Sequence, residues 1–368
     1  MTPPGHSPSA DFRGSRRVLV TGGAGFIGSH LTRVLLDRGD DVTIVDDLST
    51  GRRENLALAD PDDRARFLEG DLRAHLPALA SEPPFDEIYH LAAAVGVDLV
   101  MHDSVRAIET NVDLTSRLLR YAAGASLEAG DPLAGVPGPT RPQTRVLIAS
   151  SSEVYGKPTR HVFNEEDDIV YGPTSVTRWS YACSKALDEH LANGFRTAGG
   201  PTSVCVRLFN TVGPRQVGAY GMVVPRFVAA ALAGEPLRVF GDGTQTRCFC
   251  DVRDVAAALP RLLARAEQPP HLFNLGSDEP ISIAGLARLV IDELGSTSDI
   301  RYIPYQEAYP EGYEDLAHRR PDLRRVREAT GFKPSIDLRR TIRDVAADLE
   351  RTRRATLDPD RIGEESRT

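Results

Sequence analysis

The chain has 368 residues, 41% hydrophobic and 26% charged, enough apolar content for one large or two medium domains. It holds no apolar run of about 18 residues, which excludes a membrane-spanning helix. A net charge of −8 argues against a general nucleic-acid binder.

In chain order, Met1 to Arg17 is rich in Pro, Ser and Gly and lacks the apolar core of a signal peptide. Residues 1–15 are therefore expected to be a disordered lead, and the protein cytoplasmic. Arg17 to Thr21 reads as a buried strand, and Phe26 to Arg38 has helical spacing with Ile27, Leu31, Val34 and Leu35 apolar. Asp41 to Asp46, Glu87 to Leu91 and Arg145 to Ser150 read as further strands. Ser104 to Ala123 and Trp179 to Phe195 read as helices. Strands alternating with helices predict an α/β fold with a doubly wound (Rossmann) parallel sheet over residues 16–210. Residues 124–144 carry several Gly and Pro between a helix and a strand, the mark of a surface insertion. From 211 to 350 short strands (Leu237 to Phe240, His271 to Asn274) alternate with helices (Val224 to Leu232, Ser282 to Leu294). They predict a smaller C-terminal α/β domain, with some later segments returning to the first. Residues 351–368 are charged and are expected to form a frayed tail.

Between the first strand and helix, Thr21 to Gly28 spells G-x-x-G-x-x-G. Gly22 and Gly25 let the backbone turn tightly against a pyrophosphate, whose charge suits the helix N-terminus. Gly28 lets helix and strand pack closely. Asp46 ends the second strand, where a carboxylate accepts from a ribose 2′-hydroxyl and repels a 2′-phosphate, so NAD is favoured over NADP. Asp71 either holds an adenine amino group or is a solvated loop carboxylate.

Tyr181 and Lys185 stand four residues apart, on one helix face. An ammonium near a phenol favours the phenolate, and such a tyrosine can take a proton from an alcohol as hydride leaves it. Lysine is scarce here, with Lys157 and Lys333 the others. Ser150-Ser151-Ser152-Glu153 ends a strand, where such sheets bind ligands. The four cysteines, Cys183, Cys205, Cys248 and Cys250, lack further ligands at metal-site spacing and are read as plain thiols, with no metal.

The chain resembles the extended short-chain dehydrogenase/reductases that act on nucleotide sugars. The resemblance rests on Thr21 to Gly28, His90-Leu91-Ala92-Ala93, Glu153-Val154-Tyr155-Gly156, Tyr181 with Lys185, Phe209 to Arg215, Gly241 to Arg247 and Asn274-Leu275-Gly276. It implies bound NAD, a UDP- or dTDP-sugar substrate and a homodimer built through a four-helix bundle. For the cofactor it implies contacts from Phe26, Ile27, Leu72, Leu91, Ala92, Ala93, Tyr181 and Lys185. For the nucleotide sugar it implies Asn210, Val224, Phe240, Gln245, Arg247 and Arg320.

Within that family the triplet after the strand separates the branches. Nucleotide-sugar 4,6-dehydratases carry Thr-Asp-Glu, and 4-epimerases carry Ser or Thr followed by small or neutral residues. Ser151-Ser152-Glu153 resembles UDP-glucuronate decarboxylases, the UDP-xylose synthase type. Phe163 to Lys185, Thr246 to Phe249 and Gly312-Tyr313-Glu314-Asp315 leading to Arg319-Arg320-Pro321 resemble the decarboxylase that makes a UDP-4-keto-pentose for lipid A modification. The Tyr-Asp-Glu-Gly-Lys of plant- and animal-type UDP-xylose synthases is Tyr181-Ala182-Cys183-Ser184-Lys185 here. The resemblance assigns C4 oxidation to Tyr181, Ser151 and Lys185, and the C5/C6 chemistry to Glu153 beside Ser152. Arg247 orients the sugar carboxylate or binds the diphosphate. The keto sugar is released or reduced again. A UDP-sugar (UDP-glucose or UDP-glucuronate) 4-epimerase, a nucleotide-sugar 4,6-dehydratase and a non-catalytic NAD sensor are the competing readings.

Overall fold

Val18, Leu19 and Val20 are all fully buried, as a strand covered on both faces requires. Val18 and Val20 point into one apolar core, Leu19 into another, by the two-residue alternation of a strand. In the computed structural model, which describes residues 15–94, 103–124, 144–157, 160–218, 222–308 and 318–357, this strand is Arg17–Thr21. It sits in a seven-stranded parallel sheet ordered Leu272–Leu275, Thr202–Leu208, Arg145–Ser151, Glu87–His90, Arg17–Thr21, Asp41–Asp46, Arg66–Glu69.

The helices Phe26–Asp37 and Val252–Leu263 fill one face, through Leu31, Leu35, Leu259 and Leu262. Leu72–Leu79, Ser104–Ala122 and Arg178–Thr197 supply the other, through Leu76, Leu118 and Ala192. The chain order of strands reverses between Arg17–Thr21 and Glu87–His90, which opens a crevice at the carboxyl ends of the strands.

The doubly wound sheet is as expected, with boundaries shifted by a residue or two. The segments that return to it after residue 210 are Val252–Leu263, packed on Phe26–Asp37, the strand Leu272–Leu275, and the helix Arg324–Thr330, whose Val326 joins the same core. Thr202–Leu208 and Arg66–Glu69 had no sequence expectation.

The rest forms a smaller layer. Pro280–Ser282, Thr246–Cys248, His318–Pro321 and Val162–Phe163 make a four-stranded sheet. The helices Val223–Ala233, Ile283–Leu294 and Leu338–Leu357 close a third core through Phe227, Leu286 and Ile342. The last helix runs past Arg351, where a frayed tail was expected. Its charge does not oppose a helix, because Arg351, Arg353, Arg354, Ala355 and Leu357 are all strong helix formers. The N-terminal lead to residue 14, positions 125–143 of the insertion, the Gly312 to Asp315 stretch and the tail beyond Leu357 lie outside the described residues. No described helix is long and apolar enough to cross a membrane, and the described residues hold no cluster of metal-binding side chains.

Candidate active site

The glycine loop leaves the first strand at the crevice. Gly22 has φ +73°, and a Cβ there would lie 2.7 Å from the Ala92 backbone nitrogen. A Cβ on Gly28 would lie 2.1 Å from the Gly22 carbonyl oxygen, so the helix can seat against the loop only with glycine. Gly25 caps the helix without any side-chain hydrogen bond. The first-turn N–H groups beside Phe26 and Ile27 have no intrahelical acceptor, which suits an anion. Asp46, 8% exposed, accepts from the Ala24 and Leu48 amides at 2.9 and 2.8 Å. Burial raises its pKa, and those amides hold it down in part. The cradle fits a dinucleotide: a tight backbone approach, an open helix N-terminus and a fixed ribose acceptor.

The other residues singled out for the cofactor divide. Leu91 and Ala92 lie across the loop from Gly22, with the Ala92 amide 3.3 Å from Thr21 Oγ1 and Ala93 half-buried beside them. Leu72 sends its side chain into the core beneath the sheet. Asp71 caps Leu72–Leu79 through the Arg73 amide and is ion-paired with the Arg73 guanidinium. The guanidinium hydrogen bond first, against a smaller effect of burial, holds its carboxyl below the usual range. Asp71 is therefore neither a bare loop acid nor an uncommitted acceptor.

Tyr181 and Lys185 project from Arg178–Thr197 toward the end of Arg145–Ser151. Burial raises the Tyr181 pKa above the ordinary value for a phenol, opposed by the Lys185 charge and a hydrogen bond from Ser151. The lysine effect read from the sequence is present, and burial exceeds it. Lys185 is 3% exposed and paired with Asp188, Nζ to Oδ2 3.1 Å, a partner that sequence reading missed. Asn111 was also missed. It accepts from the Ala94 amide at 2.8 Å and donates to Ser184 Oγ at 3.1 Å, tying Ser104–Ala122 to the tyrosine helix. His90 contacts Thr21 Oγ1 at 2.7 Å and Thr115 Oγ1 at 3.2 Å. Burial first, then the Lys185 charge, lowers its pKa to about 3, so it is a neutral imidazole.

Ser151 accepts from the Glu153 amide at 3.2 Å and so caps the 3-10 turn Ser152–Tyr155. Ser152 is buried in that turn. The turn presents Glu153 to three arginines. Arg319 is hydrogen-bonded to it, Arg178 lies 3.6 Å away, and Arg247 adds its charge. Burial raises the Glu153 pKa, but the three guanidiniums outweigh burial and hold the carboxyl below the usual range.

Arg247 and Arg319 are register partners on parallel strands. Two like charges so placed repel, and Glu153 offsets that repulsion. The sum is three positive charges against one negative, beside Tyr181.

Arg320, not Arg319, was the sequence expectation for the substrate. By strand alternation it points to the opposite face and is exposed. Val224 is fully buried in the third core. Phe240 carries the Arg226 guanidinium 4.9 Å above its ring. Gln245 donates to the Phe240 carbonyl at 3.0 Å, and Asn210 to that of Cys248 at 3.3 Å.

Residues 18–276 match the model of the NAD dependent epimerase/dehydratase family. A UDP-N-acetyl-alpha-D-glucosaminuronate decarboxylase of Bacillus cytotoxicus is 38% identical over 327 residues, 87% of this chain and 94% of that protein. UDP-glucuronic acid decarboxylase 2 of Arabidopsis thaliana is 35% identical over 88% of this chain and 66% of that longer protein. Among solved structures, a UDP-N-acetylglucosamine 4-epimerase from Methanobrevibacter ruminantium superposes with a TM-score of 0.77. It is 28% identical over 92% of this chain and 99% of that one.

Proposed function

We propose, for a chain that belongs to the NAD-dependent epimerase/dehydratase family, that it decarboxylates UDP-glucuronate. The observation that carries this reading is the arginine cluster around Glu153, an excess of positive charge beside Tyr181 that suits a sugar carboxylate. Decarboxylases among the relatives support the same reaction class.

NAD, when bound in the glycine cradle, supplies the hydride acceptor for sugar C4. Tyr181 takes the C4 hydroxyl proton, and Ser151 hydrogen-bonds the same oxygen. Lys185 keeps the phenol oriented. Oxidation makes C6 the carboxylate of a β-keto acid. The C5–C6 bond then breaks, carbon dioxide leaves, and the electron pair enters an enolate whose charge sits on the C4 oxygen. Tyr181 and Ser151 stabilise that oxygen. Glu153, kept ionised by its arginines, disfavours the charge on the C6 carboxylate and guides proton delivery to C5. The product is a UDP-4-keto-pentose, or UDP-xylose after C4 is reduced again.

A second substrate is favoured by the bacterial relative, whose name specifies a 2-acetamido uronate. The 4-epimerase reading is favoured by the structural neighbour. Incubation with UDP-glucuronate and with UDP-N-acetylglucosaminuronate, followed by resolution of the sugar nucleotides, separates the three. A pentose product from the first supports the proposal, turnover of the second alone moves the substrate assignment, and a galacturonate product means epimerisation. The exposed apolar residues on Ser104–Ala122 and Arg178–Thr197 support assembly as a homodimer through a four-helix bundle.

A further inference from the structure

The helix Arg178–Thr197 carries a buried acid that the reaction scheme leaves unused. Asp188 lies one turn beyond Lys185, as Lys185 lies one turn beyond Tyr181, so the three share one face. Asp188 is 0% exposed and Lys185 3%, with 3.1 Å between Oδ2 and Nζ. At that separation, away from water, each charge dominates what the other presents to its neighbours.

The remaining groups around the triad do not change charge near neutral pH. From the strand Glu87–His90, His90 is neutral down to about 3. From Thr202–Leu208, burial keeps Cys205 a thiol, and Arg207 is locked on Glu189 of the tyrosine helix at 2.9 and 2.7 Å. Ser104–Ala122 contributes the uncharged Thr115, and Arg145–Ser151 the uncharged Ser151. The 3-10 turn contributes Glu153, ionised by its arginines. Among these groups, the pull of Lys185 on Tyr181 is opposed by the two carboxylates Asp188 and Glu153, and only Asp188 touches the lysine.

We propose that Asp188 is a positioning residue that anchors the Lys185 ammonium and cancels part of the positive charge it presents to Tyr181. The consequence is a more basic phenolate, a stronger acceptor for the C4 hydroxyl proton. This rests on the reading of Tyr181 as the base at C4. Removing a buried anion lowers the pH at which the tyrosine–lysine pair releases its first proton, whichever of the two gives it up.

Asp188→Asn keeps the shape and removes the charge. Tyrosinate absorbance is titrated in the NAD-loaded enzyme, each background against its own Tyr181→Phe counterpart. The Tyr181 midpoint is expected to fall by about one pH unit, and Asp188→Glu to restore it. The acid limb of NADH formation with UDP-glucuronate is expected to move the same way. An unchanged midpoint in folded Asp188→Asn overturns the proposal. So does failure of both Asp188→Asn and Asp188→Ser to fold, which makes the pair a core contact alone. A shifted midpoint with no NADH formation by the wild type upholds Asp188 and removes the assigned reaction.

Discussion

Tyr181 shows how a residue pattern in a sequence becomes chemistry. Its spacing from Lys185 and the strand-end serine before it are both legible in one dimension. Burial is not, and burial is the largest influence on the phenol. Asp188 stands three residues from Lys185 in the sequence, yet only burial turns that spacing into an ion pair. Arg319 was not readable, because the Arg319–Arg320 pair gives no sign of which member faces inward. Strand alternation and register with Arg247 decide it. Tyr181→Phe keeps the ring and removes the proton acceptor. It is expected to bind NAD and UDP normally in calorimetry while kcat falls at least about 10²-fold. A variant with near-wild-type kcat places the base elsewhere.

The same contrast holds for elements. The glycine loop, the first helix and four of the first six sheet strands in chain order were legible as local signals, whereas Arg66–Glu69 and Thr202–Leu208 were not. The seventh strand did not declare its sheet. Leu272–Leu275 reaches Thr202–Leu208 only after a long excursion through the smaller layer. At the glycine cradle a single methyl decides the packing. Gly28→Ala puts a carbon 2.1 Å from the Gly22 carbonyl oxygen, so loop and helix must separate. Overpacking of this kind costs about 1–3 kcal/mol. The variant is expected to melt at a lower temperature and to lose NAD affinity, measured by thermal denaturation and NAD titration. Unaltered NAD affinity contradicts the close seating of that helix.

On the whole molecule, two neutral histidines set an acid limit. Burial, with nearby positive charge, lowers the pKa of His90 from 6.5 to about 3 and that of His30 from 6.5 to about 4. The unfolded chain takes up these protons below pH 6.5, whereas the folded chain resists until the lower values. Their contribution to stability is full above 6.5 and lost as the pH falls through that window. The melting temperature is expected to drop already between about pH 6.5 and pH 5, above the usual carboxylate range. His90→Gln is expected to flatten that slope, and an unchanged slope removes His90 as its source.

Assembly is tested at the same scale. Val105 (64% exposed), Ile108 (37%) and Leu187 (46%) lie on the two helices assigned to the bundle. Sedimentation is expected to show a dimer that Val105→Glu with Leu187→Glu converts to monomer. A wild type that is monomeric at all concentrations contradicts the bundle.

The central claim is that a C4 oxidation at Tyr181 is coupled to loss of C6 under Glu153. Carbon dioxide release and NADH absorbance are followed side by side with UDP-glucuronate, in wild type and in Glu153→Gln. The wild type is expected to release carbon dioxide. The variant is expected still to form NADH and to release carbon dioxide about 10²-fold more slowly, the size of an acid–base contribution. Unchanged release in the variant takes Glu153 out of the mechanism, and no release from the wild type contradicts the decarboxylase itself.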